Sequence, residues 1–150
     1  MGFYDGLGGV SERSSAWEVA DLTDTPVILL VDMKGRSLSA LASINGFLDY
    51  KEKSHVTGIV FNRLSPMLYP GLKERAEREL GIRVFGYVPE LKDLALESRH
   101  LGLVMPEEIP GIRKRLDLIK EKVRAGINLD GIIEELSLIH ISEPTRRVVI

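Results

Sequence analysis

Val27-Ile28-Leu29-Leu30-Val31, bounded by Pro26 and by Asp32, is the run whose reading decides the fold. It is apolar at every position rather than at alternate ones. A strand that hides only one face alternates, whereas one covered on both faces does not, so the run predicts a strand inside a parallel sheet. Working outward, Val56-Thr57-Gly58-Ile59-Val60-Phe61 reads as a second buried strand ending at Asn62-Arg63, and Ile82-Arg83-Val84-Phe85-Gly86-Tyr87-Val88 as a third, closed by Pro89. Between the first two, Leu38, Leu41, Ile44 and Leu48 recur at helical steps. Between the second and third, Leu72, Ala76 and Leu80 line another helix, with Gly81 as its stop. Upstream, Ser14 or Ser15 can cap a short helix, with Glu18 at capping-box spacing from Ser15. Helix and strand thus alternate three times, the pattern of right-handed crossovers and an α/β fold. Further on, Pro106 opens a long helix carrying Ile109, Ile112, Leu116, Ile119 and Val123 on one face; its other positions are mostly charged, which predicts a surface helix.

Composition narrows the class. The chain has 150 residues, about one domain, and 44% of them are apolar, enough for a core. Lys and Arg number 20 against 22 Asp and Glu, for a net charge of −2, which argues against polyanion binding as the main function. No run approaches the roughly 20 apolar residues of a membrane span, and no signal peptide is visible. With no cysteine, disulfides, thiolate metal sites and a thiol nucleophile are excluded for this chain. The reading is of a cytoplasmic α/β domain that engages neither nucleic acid nor membrane.

In open parallel sheets ligands bind beyond the carboxyl ends of the strands. Asp32, Asn62-Arg63 and Pro89-Glu90 stand at those ends. Asp32 can hold Mg²⁺ or simply form a turn; Asn62 can meet both the donor and the acceptor of a base edge or serve as an ordinary turn residue. The glycine-rich opening, Met1 to Gly9, contains Asp5 and reads as a turn, either a loose terminus or a chain that lacks its start. Arg99-His100-Leu101-Gly102-Leu103 is a cationic and apolar cluster in which Arg99 can grip a carboxylate and His100 can exchange a proton, or both can be merely solvated. His55 reads as structural, and Trp17 as core or a partner contact. No Walker A string occurs.

Five strings occur in order: Met-Gly-Phe-Tyr-Asp-Gly at 1–6, Ser-Ser-Ala-Trp-Glu-Val-Ala at 14–20, Val-Ile-Leu-Leu-Val-Asp at 27–32, Gly-Ile-Val-Phe-Asn-Arg at 58–63 and Arg-His-Leu-Gly-Leu at 99–103. Together they resemble the cobyrinate a,c-diamide synthase family, over roughly residues 1–135. The resemblance implies a three-layer, mostly parallel α/β sheet of the P-loop NTPase, dethiobiotin-synthetase-like kind, lacking its N-terminal P-loop strand. It implies that residues 1–135 are the C-terminal portion of an ATP-binding amidoligase (synthetase) domain, with Met1 internal to a longer protein. The parent activity would be a glutamine-dependent, ATP- and Mg²⁺-dependent ligase amidating the a and c carboxylates of cobyrinate through acyl phosphates. Ammonia would come from a glutaminase domain absent here, the intact enzyme could form a homodimer, and the piece alone would be inactive.

By the same resemblance, Asp5 is the catalytic carboxylate and Mg²⁺ ligand, Asn62 reads the adenine of ATP, and Arg99 and His100 lie near the corrin carboxylates. Asp5 and Asn62 are expected at a common rim. Rival readings are a sister tetrapyrrole amidase (cobyric acid synthase or nickel-sirohydrochlorin a,c-diamide synthase), a non-catalytic dethiobiotin-synthetase-like regulatory module, and a partition-type ATPase. Finally, Leu136-Ser137-Leu138-Ile139-His140-Ile141-Ser142-Glu143-Pro144-Thr145-Arg146 resembles the translation of a transposon-type sequencing adapter. Residues 136–150 therefore read as a non-native tail, in which His140 carries no functional weight.

Overall fold

Three strands, β1 (Val27–Asp32), β2 (Val56–Asn62) and β3 (Arg83–Val88), form a parallel sheet in the order β1-β2-β3. The computed structural model describes residues 2–91 and 111–141. Helices α1 (Ala16–Thr23), α2 (Leu38–Asp49) and α3 (Tyr69–Leu80) alternate with the strands, as the sequence pattern predicts. Two more follow, α4 (Ile112–Gly126) and α5 (Leu129–Ile141). The expected start of the long helix at Pro106 lies outside the described residues.

Each element forms for a local reason. The Ser15 Oγ accepts the Glu18 N–H (3.1 Å) at the start of α1, and the Glu18 carboxylate reaches back to the Ser14 N–H. The capping box thus closes one residue earlier than its usual form. Gly81 ends α3 in the left-handed region, as its position in the sequence predicts. Asn128 starts α5: its Oδ1 accepts the Gly131 N–H at 2.9 Å.

The sheet divides two faces. Leu29 and Val31 of β1, Ile59 and Phe61 of β2 and Val84 of β3 pack with Ala40, Leu41 and Ile44 of α2 and with Leu72 and Ala76 of α3. Ile44, Ile59, Phe61 and Ala76 are fully buried there. On the opposite face, Ile28, Leu30, Val60 and Val88 line an apolar slot with Val123 and Ile127 at the end of α4 and Leu129, Ile132 and Leu136 of α5, and Leu30 stays exposed. The result is three layers, helix on sheet on helix. Helix α4 is anchored by close backbone approach: the Asn128 N–H donates to the Phe85 carbonyl at 2.7 Å, and a Cβ on Gly126 would stand 2.2 Å from the Tyr87 oxygen.

Candidate functional site

The ladder does not stop where the strands do. The Met33 N–H donates to the Asn62 carbonyl (2.8 Å) and the Leu64 N–H to the Val88 carbonyl (3.1 Å), so the carboxyl ends of β1, β2 and β3 are stitched together. Met33 and Leu64 are buried, which fixes the exposed residues beside them. A turn at Met33–Arg36, closed by the Arg36 N–H on the Met33 carbonyl (2.9 Å), carries Lys34 and Arg36 out from β1. Arg63, in the left-handed region at φ 57°, turns back from β2 towards β1. Its guanidinium grips Asp32 with both prongs, Nε to Oδ1 at 2.7 Å and Nη2 to Oδ2. The Lys34 N–H adds a bond to Asp32 Oδ1 (3.2 Å). The Arg63 bond first, and this backbone bond second, hold the Asp32 carboxyl below the usual carboxylate range; the same pair raises Arg63. Around this pair opens a cavity of about 600 Å³, lined by Lys34, Arg36, Arg63 and Glu90, with Pro66, Leu68 and Pro89 as an apolar floor over the buried Met33 and Leu64. Lys34 Nζ lies 2.8 Å from Glu90.

A second cavity, about 450 Å³, lies between the opening loop and α2. Asp5 lines it with Phe3, Tyr4, Glu12, Phe47 and Tyr50. The loop is a built element rather than a loose end. The Gly6 N–H donates to the Ser11 carbonyl and the Leu7 N–H to the Arg13 carbonyl, both at 2.8 Å. A Cβ on Gly6 would stand 2.1 Å from the Arg13 oxygen, so only glycine permits that approach. The Tyr4 hydroxyl donates to the Phe47 carbonyl (2.7 Å), and burial, then the nearby Tyr50, push its pKa up. Asp5 is exposed and takes the Gly2 N–H on Oδ2 at 2.6 Å. Glu12 is engaged by Lys51 at 2.6 Å, and that bond lowers its pKa. Asp5 is thus the carboxylate of this cavity with an oxygen, Oδ1, that has no partner among the described residues.

Asn62 lines neither of these. It is among the residues lining an almost wholly apolar slot of about 440 Å³, with Ile28, Leu30, Val60 and Val88 of the sheet and with Val123, Ile127, Leu129, Ile132 and Leu136. The structure therefore does not bring Asp5 and Asn62 into one cavity; the two share no lining residue. It brings together Asp32 and Asn62, which are paired in register at neighbouring strand ends. Arg99 and His100 lie outside the described residues, as does most of the adapter-like segment, although α5 runs through Leu136 to Ile141.

Lys34, Arg36 and the partner of Arg63 are what sequence reasoning missed. It places Arg63 at a strand end without a partner, and that partner lies 31 residues earlier. The available signal was three cations within a few residues of two strand ends. His55 is structural as expected, its Nε2 2.8 Å from Asp21; Trp17 is only partly buried and outside the core, its indole donating to the Lys53 carbonyl at 3.0 Å. Among the described residues no group of three His, Cys, Asp or Glu side chains could hold a metal ion, and no helix is long and apolar enough to cross a membrane.

Parallel strands feeding a charged rim define an α/β protein of the ligand-binding, open-sheet kind. Known proteins narrow this. The chain is 36% identical over 135 residues to cobyrinate a,c-diamide synthase of Listeria innocua, covering 89% of the chain and 30% of that relative. The cobyrinate a,c-diamide synthase of Limosilactobacillus reuteri is 33% identical over 134 residues, with the same shares covered. The hydrogenobyrinate a,c-diamide synthase of Rhodobacter capsulatus is 34% identical over 135 residues, covering 89% of the chain and 31% of that relative. No family model and no solved structure matches. The chain thus matches part of the cobyrinate a,c-diamide synthases along 89% of its own length, and it spans about 30% of the length of the curated relatives it matches.

Proposed function

We propose that the chain is the nucleotide-handling part of an amidoligase that converts the a and c carboxylates of a corrinoid, cobyrinate, to amides in cobalamin biosynthesis. Its kinship over 89% of its length with proteins so named carries the reading. The chemistry asks for three things. A carboxylate is a poor electrophile, so an oxygen of it takes the terminal phosphoryl group of ATP and ADP leaves. Ammonia, supplied from glutamine by a partner domain, then attacks the carbonyl carbon; phosphate departs with the bonding pair and a proton is lost. Catalysis of such transfers is mostly positioning and charge stabilisation.

The residues of this chain divide that work. Asn62 lines an apolar slot, and its amide would meet the polar edge of a purine whose flat faces lie against the apolar walls. Asp5 offers a carboxylate oxygen without a partner among the described residues, and Mg²⁺ is typically held by one or two carboxylates together with phosphate oxygens, so the residue fits that ion. Mg²⁺, when bound, neutralises phosphate charge. Asp5 would hold it, and the Gly2 N–H would keep the carboxylate turned. Asp5 and Asn62 line different cavities, so the residues of this chain do not by themselves seat one ATP. The dethiobiotin-synthetase-like form of the sheet belongs to the same proposal.

The test is a graft. Residues 1–135 replace the matching stretch of the Listeria innocua relative, and the product is incubated with cobyrinate, glutamine, ATP and Mg²⁺. Amide formation followed by mass spectrometry is the expected result, with Asp5→Asn in the graft lowering kcat by at least about a hundredfold, the scale of lost electrostatic stabilisation. A folded but inactive graft, or one indifferent to Asp5→Asn, refutes the reading.

A further inference from the structure

We infer that the cavity at the carboxyl ends of β1 and β2 is a carboxylate-binding subsite, in which Arg36 and Lys34 grip the peripheral carboxylates of a macrocyclic polycarboxylate. This rests on the reading of the chain as part of a corrinoid amidase and adds the wall that holds the substrate.

Three observations carry it. The first is charge. Lys34, Arg36 and Arg63 line the cavity; Glu90 and the Asp32 held by Arg63 offset two of them and leave one positive charge in excess, in a chain whose net charge is −2. The excess is local and works against the overall balance. The second is availability. Arg63 is committed to Asp32 through both prongs and Lys34 is shared with Glu90, but among the described residues the Arg36 guanidinium makes only a long bond, Nη2 to Ser43 Oγ at 3.5 Å. Its guanidinium is the cation of the cavity with the most capacity left, and guanidinium binds carboxylate bidentately. The third is preorganisation. Met33 and Leu64, 2% and 1% exposed, anchor both cationic segments in the core, and the Arg63–Asp32 clamp ties β2 to β1 beneath the cavity. Little ordering is left for binding to supply.

The floor selects among anions. Pro66, Leu68 and Pro89 give the cavity an apolar base, over the buried Met33 and Leu64. A bare inorganic anion leaves that base wet, whereas the hydrocarbon edge of a macrocycle covers it while its carboxylates reach the cations. About 600 Å³ seats one edge of such a ring, with the remainder projecting into solvent. A triphosphate fits less well. Its charge is normally handled together with Mg²⁺ by carboxylate oxygens, and the carboxylate here is drawn onto Lys34.

The experiment uses the full 150-residue chain, with cobyrinate and ATP-Mg²⁺ as separate probes, calorimetry for affinity and backbone amide NMR for location. Cobyrinate is expected to bind and to shift the amides of Met33–Ser37 and Arg63–Ser65. Arg36→Ala should weaken binding by about tenfold or more, Arg36→Glu should abolish it, and Arg36→Lys should restore part of it. Arg36 is exposed on a turn, so circular dichroism should show all three variants folded. The subsite is overturned if cobyrinate does not bind, if it binds with shifts confined to other residues, if Arg36→Glu binds like the parent, or if ATP-Mg²⁺ occupies the same residues in preference. The grafted enzyme separates the two levels. An active graft whose KM for cobyrinate ignores Arg36→Ala sinks the subsite alone, whereas an inactive graft sinks the functional reading beneath it.

Discussion

Asp32 is the residue at which stability and site meet. Its folded-state pKa is depressed, first by the Arg63 bond and then by the Lys34 N–H. A depressed carboxylate stabilises the fold above its unfolded pKa, about 4, and that contribution disappears as pH falls through the lower folded value. Thermal melts of the parent and of Asp32→Asn should therefore differ slightly at pH 7 and converge once the pH has fallen below the lowered folded-state value. Both partners are substantially exposed, so salt should narrow the gap at pH 7 as well. Equal gaps at both pH values would show that Asp32 acts through something other than its charge. Buried residues obey a different scale. Phe61 is fully enclosed between β1, α2 and α3, and Phe61→Ala should cost about 3–5 kcal/mol in urea denaturation, the range for emptying an aromatic site.

At the scale of elements, what could be read from the chain depended on whether the cause of structure was local. The strands and the first three helices were legible because continuous apolar runs and three-four spacing are local, and so were Ser15 as a cap and Gly81 as a stop. Helix α5 was not, because Asn128, its cap, followed directly on the end of α4 and its apolar positions overlap the segment read as a tail. The site was less legible than the fold. Strand-end placement picked out Asp32 and Asn62, but the Arg63–Asp32 clamp joins residues 31 apart through sheet register, which a single sequence does not display. The same holds for the glycines that join α4 to β3. With a Cβ on Gly126 lying 2.2 Å from the Tyr87 oxygen, backbone would have to move to admit it. Gly126→Ala should destabilise by about 1–3 kcal/mol, the usual cost of overpacking, and should loosen α4 first. Amide exchange would reveal this as early loss of protection in α4 with β2 unchanged; uniform loss throughout would argue against a local hinge.

For the whole molecule, the two sheet faces are unequally covered. The α2–α3 face holds most of the fully buried side chains, whereas on the other face Leu30, in the middle of β1, is 68% exposed. In the described sheet β1 is also the outer strand, and Ile28 and Leu30 open onto a slot whose lining is apolar apart from Asn62. An apolar face beside an outer strand is a template for association. The 150-residue chain should therefore self-associate as its concentration rises, and sedimentation velocity should show the weight-average coefficient climbing. Leu30→Lys places a charge on the exposed strand face without touching the α2–α3 core, and it should return the chain to a single monomeric boundary with its melting temperature little changed. A parent chain that sediments as a monomer at every concentration would show that the slot closes on itself in solution. Adenosine adds a discriminating arm. If the slot seats a purine at Asn62, adenosine should suppress the association of the parent and leave Leu30→Lys unaffected, because the same apolar walls cannot serve both occupants at once.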